Sequence, residues 1–295
     1  MSKMEKLAAR YRVDNGKKFR LKDYDPGDTG SIQSEDEAKE LLSQGLEHLR
    51  DRQEKLHAQE EWAVLLILQG MDASGKDSLI KHVMSGVNPT GCEVVSFKQP
   101  SSEELRHDFL WRTTAHLPER GRIGIFNRSY YEEVLVVRVH PSVLATEKLP
   151  KPLVSDKEIW RDRYQDIRAY ERHLARNGTV IRKFFLYLSK EEQKKRFLAR
   201  LDQPEKNWKF QESDVEERKF WPEYMNAYEQ AIRHTATRHA PWYAVPADHK
   251  WFTQLVVAAA IVQTLDELGL AFPKIVGDKK KELDAARTAL ENETA

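Results

Sequence analysis

Glycines, a lysine and two acidic residues are concentrated in the stretch Gly70-Met-Asp-Ala-Ser-Gly-Lys-Asp-Ser78, after an apolar run that starts at Trp62. Glycines allow backbone angles that turn several N–H groups toward one anion, and a helix that begins here adds the positive end of its dipole. A lysine after the second glycine can reach the outer phosphates as a mobile point charge. The spacing therefore predicts a phosphate-binding loop. Its predicted phosphate-binding residues are Gly70, Ser74, Gly75, Lys76, Asp77 and Ser78.

Two acidic residues make this loop unusual. Asp77 occupies the position after the lysine, where a serine or threonine that ligates Mg²⁺ is common, and Asp72 lies inside the loop. Two carboxylates beside a polyanion site would repel the substrate unless a cation lay between them, so the loop favours Mg²⁺ as a cofactor. The alternative is a chance glycine turn after a buried strand. The agreement between the strand, loop and helix patterns favours the phosphate loop.

A second polar cluster, Asn127-Arg-Ser-Tyr-Tyr-Glu-Glu133, follows the apolar run 122–126. In P-loop enzymes the tip of the neighbouring strand supplies an acid that holds Mg²⁺. Here that residue is Asn127, which offers a neutral oxygen ligand. Arg128 could bind phosphate through two parallel hydrogen bonds, and Glu132 could orient it or bind the metal. The alternative, which does not exclude metal binding, is that Asn127 caps a short helix over 129–137.

A third cluster is rich in basic residues and lies between 190 and 218. Arg196 and Arg200 are four residues apart and therefore share one helix face. A phosphotransferase carries an arginine-rich helical insertion as a lid that closes over phosphates and excludes water. We expect such a lid at about 196–225, with both arginines binding phosphate. Lys190, Lys194 and Lys195 fit a lid and a solvated helix face equally well.

Strands that alternate with helices must position these clusters. Strands are predicted over 62–69, 93–97, 122–126, 179–188 and 242–246. Helices are predicted over 35–59 with Ser34 as its cap, near 102–116, from a cap at Ser155 to 176, over 129–137, and over 255–268. This alternation predicts a parallel five-stranded sheet with helices on both faces. We divide the chain into an N-terminal arm, ordered or loose, over 1–33, a domain over 34–272 and a charged tail over 273–295.

Composition excludes several classes of protein. The 295 residues, 40% hydrophobic and 32% charged, can bury the core of one α/β domain. The net charge of +1 gives no overall bias toward nucleic acid or an anionic membrane. The single cysteine, Cys92, excludes an internal disulfide and fits a reducing compartment. Because no signal or membrane-spanning segment is visible, we expect a cytoplasmic protein with no membrane or nucleic-acid partner.

These motifs, together with Arg200-Leu-Asp-Gln-Pro-Glu-Lys-Asn-Trp-Lys209, resemble the polyphosphate kinase 2 family. Shorter stretches at 21–26 and 246–251 resemble its members too, so that the resemblance covers about residues 20–270. It implies a three-layer α/β P-loop sandwich, similar to thymidylate kinase, with a helical lid. It also implies reversible phosphoryl transfer from inorganic polyphosphate to AMP or ADP, forming ADP or ATP, with Mg²⁺. The similarity is greatest to the subgroup that acts on both AMP and ADP.

When the roles of the family's residues are carried over to the matching positions, the resemblance implies that the catalytic residues are Asp72, Lys76, Arg128 and Glu132. Asp72 and Asn127 become the metal ligands, although many relatives have aspartate where this chain has Asn127. The resemblance also implies a homo-oligomer, a dimer or a tetramer. Two alternatives stay open: an ATP-dependent nucleoside monophosphate kinase on the same fold, and a non-catalytic protein that binds nucleotides or polyphosphate. Asp72 and Asp77 are both unusual for an ATP donor site.

Overall fold

The computed structural model describes residues 3–154, 158–208 and 210–293. Within them the strands are β1 (Arg12–Val13), β2 (Ala63–Gln69), β3 (Cys92–Ser96), β4 (Ile123–Asn127), β5 (Thr179–Tyr187) and β6 (Trp242–Pro246). The α-helices are α1 (Lys3–Tyr11), α2 (Glu35–Gln59), α3 (Lys76–Val83), α4 (Trp111–Thr114), α5 (Val136–Val139), α6 (Pro141–Thr146), α7 (Glu158–Arg176), α8 (Lys190–Leu201), α9 (Pro204–Asn207), α10 (Glu212–Glu217), α11 (Trp221–Thr235), α12 (Lys250–Asp266) and α13 (Asp278–Glu291). The predicted cap Ser155, and Lys209 of the third motif, lie outside the described residues.

The strands form one sheet in the order β1-β6-β5-β2-β4-β3. Strands β2 to β6 are parallel, as predicted, and β1 is antiparallel to β6. The α/β fold is therefore confirmed, while the predicted number of strands is one too low. The missed strand is only Arg12–Val13, which is too short to show the alternating pattern that identifies a strand in a sequence.

Strand β2 lies at the centre of the sheet and faces a core on each side. Val64, Leu66 and Leu68 point into one core, with α1, α2, α3 and α12, whereas Leu65 and Ile67 point into the other, with α7 and α11. A strand that is covered on both faces has a continuous apolar sequence, because neither face meets water. Helices on both sides of the sheet give the predicted three layers.

The register of the central strands brings two polar clusters together. Leu68 of β2 is paired with Asn127 of β4 on one side and with Phe184 of β5 on the other. Because parallel strands end at the same edge of the sheet, the loop after Gln69 and the segment after Asn127 emerge side by side. Ligands of open α/β sheets bind at this carboxyl edge.

The N-terminal arm is packed against the rest of the chain. Leu7 and Tyr11 of α1 are buried in the α12 core, and Phe19 is buried in the opposite core. Tyr11 donates a hydrogen bond of 2.9 Å to Asp28. Of the two predicted states of the arm, the ordered one is found. The tail, by contrast, is exposed from 271 to 293.

Local predictions differ in accuracy. Helix α2 begins after Ser34, whose hydroxyl accepts a hydrogen bond from Glu37 N as predicted. The helix predicted near 102–116 is wrong: a 3-10 turn at Glu104–Arg106 and the short α4 replace it. Asp108 Oδ1 accepts from Leu110 N at 2.9 Å, and such a side-chain turn competes with a continuous helix.

The described part of the chain has no helix that is both long enough and apolar enough to cross a lipid bilayer.

Candidate active site

The loop between β2 and α3 has the backbone shape of an anion-binding loop. Gly75 precedes α3 with φ of 100°, a left-handed angle that strains residues with a side chain. A Cβ on Gly70 would lie 2.8 Å from Ser74 Oγ and 3.0 Å from Leu186 O, so a side chain does not fit there either. Both glycines of the predicted motif are therefore required by the loop geometry.

Lys76 is buried within this loop. Its ammonium donates to Gly70 O at 2.7 Å and to Met71 O at 3.3 Å, which uses two of the three N–H groups of a lysine. Burial, and then the nearby Arg128 guanidinium, lower the pKa of Lys76. These two carbonyls of the phosphate loop therefore hold the lysine side chain in place.

Two hydroxyl groups of the predicted loop differ in their surroundings. Ser74 Oγ is buried and, among the described residues, has no hydrogen-bond partner. A buried hydroxyl without a partner costs about 1–3 kcal/mol, so this atom fits a loop that accepts a ligand with acceptor oxygens. Ser78 Oγ instead lies on α3, 3.5 Å from His82 Nδ1.

Arg128 joins the phosphate loop to the segment after β4. Its Nη2 donates to Asp72 Oδ1 at 2.9 Å, and its Nη1 donates to Glu132 Oε2 at 3.4 Å. The Glu132 carboxylate, with a smaller contribution from Asp72, raises the pKa of Arg128 against the effect of burial. With Lys76 close by, the structure brings the four predicted catalytic residues to one place.

Arg128 has a left-handed backbone, with φ of 65°. For a residue with a side chain this conformation costs on the order of 1–3 kcal/mol and is retained where the surrounding structure imposes it. Its N–H donates to Leu68 O at 3.0 Å, which continues the β2–β4 pairing by one residue. In this conformation the Arg128 side chain reaches Asp72 of the phosphate loop.

Asn127 contacts the phosphate loop directly. Its Nδ2 donates to Asp77 Oδ1 at 2.7 Å, so its amide oxygen is turned away from that carboxylate. The alternative role as a helix cap is wrong, because Ser129 accepts the capping hydrogen bond from Tyr131 N. The predicted helix over 129–137 is a 3-10 turn at Tyr130–Val134 followed by α5.

The charges of this site do not balance. The acids Asp72, Asp77 and Glu132 outnumber the cations Lys76 and Arg128 by one negative charge. In the described part of the chain, no three His, Cys, Asp or Glu residues lie close enough to bind a metal by themselves. Mg²⁺ is often held by one or two protein oxygens together with substrate phosphates, so this arrangement fits a metal that arrives with its phosphates.

Arg196 does not face the open side of the loop. Its side chain is 8% exposed, and its Nε donates to Glu192 at 3.0 Å. Its remaining N–H groups donate to four backbone carbonyls, those of Ala73, Ser74, Ala247 and Asp248. Since all five N–H groups of the guanidinium have protein acceptors, the geometry does not support the prediction that Arg196 binds phosphate.

Arg200 is differently placed and is a quarter exposed. Its guanidinium lies 3.9 Å from Asp214 of α10 and 5.5 Å from the centre of the Phe197 ring. Burial, and then the Asp72 carboxylate of the phosphate loop, raise the pKa of Asp214. Phosphate binding by Arg200 remains a prediction.

A buried ion pair supports the segment that carries Arg128 and Glu132. Lys183 of β5 donates to Glu171 of α7 at 2.6 Å, and neither side chain is exposed. Glu171 Oε1 also accepts from Tyr130 at 3.0 Å and from Tyr131 at 2.8 Å. The motifs of the sequence did not predict this network, although a lysine inside an apolar strand was a visible signal for it.

Tyr228 and Gln193 were also missed. Tyr228 of α11 is buried beside the Arg128 cluster, and burial, followed by the Glu132 carboxylate, raises its pKa. Gln193 of α8 donates to Asp72 O at 2.8 Å. Neither residue type stands out in a helical sequence, so no local signal could have identified them.

The raised pKa of Glu133, the residue next to Glu132, predicts that the stability of the protein depends on pH. Burial, and then the Glu147 carboxylate, raise the pKa of Glu133 from 4.5 to about 8. The folded state therefore holds a proton that the unfolded state has released, and the free energy of unfolding should fall as pH rises between these values. We expect Glu133→Gln to flatten this fall in thermal melts, and Glu103→Gln, at an exposed site, to leave it unchanged. Equal slopes for Glu133→Gln and the wild type would contradict the prediction.

The comparisons with known proteins decide the family. The sequence model of the polyphosphate kinase 2 family matches residues 32–271. The chain belongs to this family. It is 52% identical over 280 residues to the ADP-polyphosphate phosphotransferase of Rhodopseudomonas palustris, covering 95% of this chain and 97% of that one. It is 46% identical over 269 residues to the AMP/ADP-polyphosphate phosphotransferase of Meiothermus ruber, covering 90% and 95%.

A solved structure agrees with this assignment. The crystal structure of polyphosphate kinase 2 from Arthrobacter aurescens matches with a TM-score of 0.85 at 38% identity, over 95% of this chain and 96% of that one. The family resemblance drawn from the motifs and the predicted P-loop kinase fold are both confirmed. As a family member the protein is a phosphotransferase, so the non-catalytic alternative is excluded. The family match ends at the residue where the exposed tail begins.

Proposed function

We propose that the protein transfers phosphoryl groups from inorganic polyphosphate to AMP and ADP, reversibly and with Mg²⁺. One observation carries the proposal: Lys76, Arg128, Asp72 and Glu132 converge at the carboxyl edge of the sheet. They do so in a chain similar to relatives named for phosphotransfer between polyphosphate and ADP or AMP.

The chemistry asks for alignment and charge neutralisation rather than for a strong base. The attacking oxygen of AMP or ADP is already an anion, so no group has to remove a proton from it. Lys76 and Arg128 would neutralise the charge that spreads over the transferred phosphoryl group. Glu132 and Asp72 hold the Arg128 guanidinium from two sides, which fixes its position before the substrates bind.

Mg²⁺ fits the donor set of this site. Asp72 offers a carboxylate, and the Asn127 amide oxygen is turned away from Asp77, so we propose these two residues as its protein ligands. When bound, the ion would offset the excess negative charge and neutralise phosphate oxygens. Only hard oxygen ligands are involved, which is the chemistry that Mg²⁺ prefers.

Because the Asn127 side chain is uncharged, we expect it to influence which nucleotide, AMP or ADP, accepts the phosphoryl group. Asn127→Asp would set a carboxylate where an amide now donates to Asp77 Oδ1 at 2.7 Å, and the added charge would repel the phosphate of AMP. We expect the variant to keep ADP phosphorylation, to weaken AMP phosphorylation, and to need more Mg²⁺ for the latter. Initial rates with each acceptor over a series of Mg²⁺ concentrations measure this effect.

A matched change at Asn88 provides the control. Asn88 is exposed and caps a 3-10 turn by accepting from Thr90 N at 3.0 Å, which an aspartate can do equally well. Asn88→Asp should therefore behave as the wild type. If Asn127→Asp leaves the ratio of the AMP and ADP rates unchanged, the charge at this position does not select the acceptor.

The donor is tested by exchanging it. With AMP as acceptor and Mg²⁺ present, the initial rate is measured once with polyphosphate and once with ATP as donor. We expect product with polyphosphate at a rate far above that with ATP. A faster rate with ATP would favour an ATP-dependent nucleoside monophosphate kinase on the same fold.

A further inference from the structure

Gln193 links the phosphate loop to a distant part of the chain. Its side chain is 1% exposed, and both ends of its amide are used. Nε2 donates to Asp72 O at 2.8 Å, while Oε1 accepts from Arg218 Nη1 at 2.7 Å. Arg218 lies just after α10, and its Nη1 also donates to Lys190 O at 3.0 Å.

The amide of Gln193 satisfies two different partners at this position. The carbonyl of Asp72 needs a donor and the guanidinium of Arg218 needs an acceptor, and the glutamine amide carries both on one rigid group. A carboxylate would place an oxygen against the Asp72 carbonyl, and an apolar side chain would leave both partners unpaired.

Three consecutive carbonyls of the phosphate loop are held by α8. Gln193 donates to the carbonyl of Asp72, and Arg196 donates to the carbonyls of Ala73 and Ser74. In a planar trans peptide the N–H of the next residue points opposite to the carbonyl. The N–H groups of Ala73 and Gly75 are therefore directed away from α8. Ala73 has φ of 61°, a strained conformation that these contacts stabilise.

We propose that Gln193 is a positioning residue for phosphoryl transfer. By holding the Asp72–Ala73 peptide, it fixes the direction of the Ala73 N–H and the start of the Asp72 side chain, which contacts Arg128. Its second hydrogen bond, accepted from Arg218, connects this peptide to the segment that follows α10. Only the kinetic test of this inference rests on the proposed function.

Two variants separate the contacts of Gln193. Gln193→Met keeps the length of the side chain and removes both hydrogen bonds, whereas Gln193→Glu keeps the acceptor for Arg218 and loses the donor for Asp72 O. In assays with polyphosphate, ADP and Mg²⁺, we expect each variant to lower kcat by ~10-fold or more, because small displacements of reacting groups are costly. The KM for ADP should stay within about twofold, since Gln193 positions the loop rather than the acceptor.

The control is Glu191→Gln, an amide–acid exchange at an exposed position of the same helix. It should have the kcat of the wild type. All rates are compared at a temperature at which circular dichroism shows every variant folded. A wild-type kcat for a folded Gln193→Met or Gln193→Glu would overturn the proposal, as would an equal loss in the control.

Amide hydrogen exchange gives a second result that does not depend on activity. We expect Gln193→Met to speed exchange in a peptide covering 70–78, and to leave α12 unchanged. Unchanged exchange in the loop would overturn the proposal. If the wild type transfers nothing from polyphosphate, the proposed function fails, while the exchange experiment still decides whether Gln193 holds the loop.

Discussion

Replacing Lys76 with alanine is expected to lower turnover by at least ~10²-fold, the scale of losing one preorganised charge at a reacting group. The lysine is the cation that the phosphate loop itself supplies, and the loop carbonyls of Gly70 and Met71 hold it in place. Lys76→Ala removes a donor from the carbonyls of Gly70 and Met71, but the loop backbone is also held by its glycines and by the contacts from α8. We therefore expect the fold to remain intact.

The measurement is kcat with polyphosphate, ADP and Mg²⁺, together with a thermal melt. Lys81 provides a matched control, since it is an exposed lysine on the same helix α3. Lys81→Ala should keep wild-type turnover. Turnover of Lys76→Ala within threefold of the wild type would show that this loop does not carry the reaction.

Replacing Lys183 with methionine is expected to destabilise the protein by about 3–5 kcal/mol, because it leaves the Glu171 carboxylate buried without its cation. Neither side chain is exposed, so water cannot compensate for the loss. The ammonium also donates to Tyr131 at 3.0 Å and to Thr235 O at 2.9 Å. Urea denaturation of the variant and the wild type measures the difference in the free energy of unfolding.

The double variant Lys183→Met/Glu171→Gln tests the cause. Glutamine is neutral and can still accept from Tyr130 and Tyr131, so the double variant should recover much of the lost stability. A single Lys183→Met that costs less than about 1 kcal/mol, the size of an ordinary substitution, would contradict this role of the ion pair.

The sequence predicted the parts of the site that depend on short stretches of chain. Strand, glycine loop and helix follow one another directly at Gly70 and Gly75, so their spacing is visible without a structure. The convergence of Arg128 with Asp72 follows from a parallel register, which places successive strand ends at one edge. Five of the strands could also be recognised, because each shows its apolar pattern within a short stretch of the sequence.

The contacts that hold the loop in position could not be predicted. Arg196 reaches Ala73 across 123 residues and Gln193 reaches Asp72 across 121, and no spacing pattern encodes such pairs. The four-residue spacing of Arg196 and Arg200 identified a shared helix face correctly, but it could not show that Arg196 is buried. Strand β1 escaped detection because its pairing depends on where the arm packs.

The most direct test of phosphoryl transfer from polyphosphate is a phosphorus balance. Purified protein is incubated with polyphosphate, ADP and Mg²⁺, and phosphorus NMR follows the nucleotide and the polymer together. We expect each ATP formed to be matched by the loss of one phosphate from the polymer, with both changes suppressed in Lys76→Ala. ATP that appears without loss of polymer phosphate, or a folded wild-type protein that forms none, would contradict the function proposed for this site.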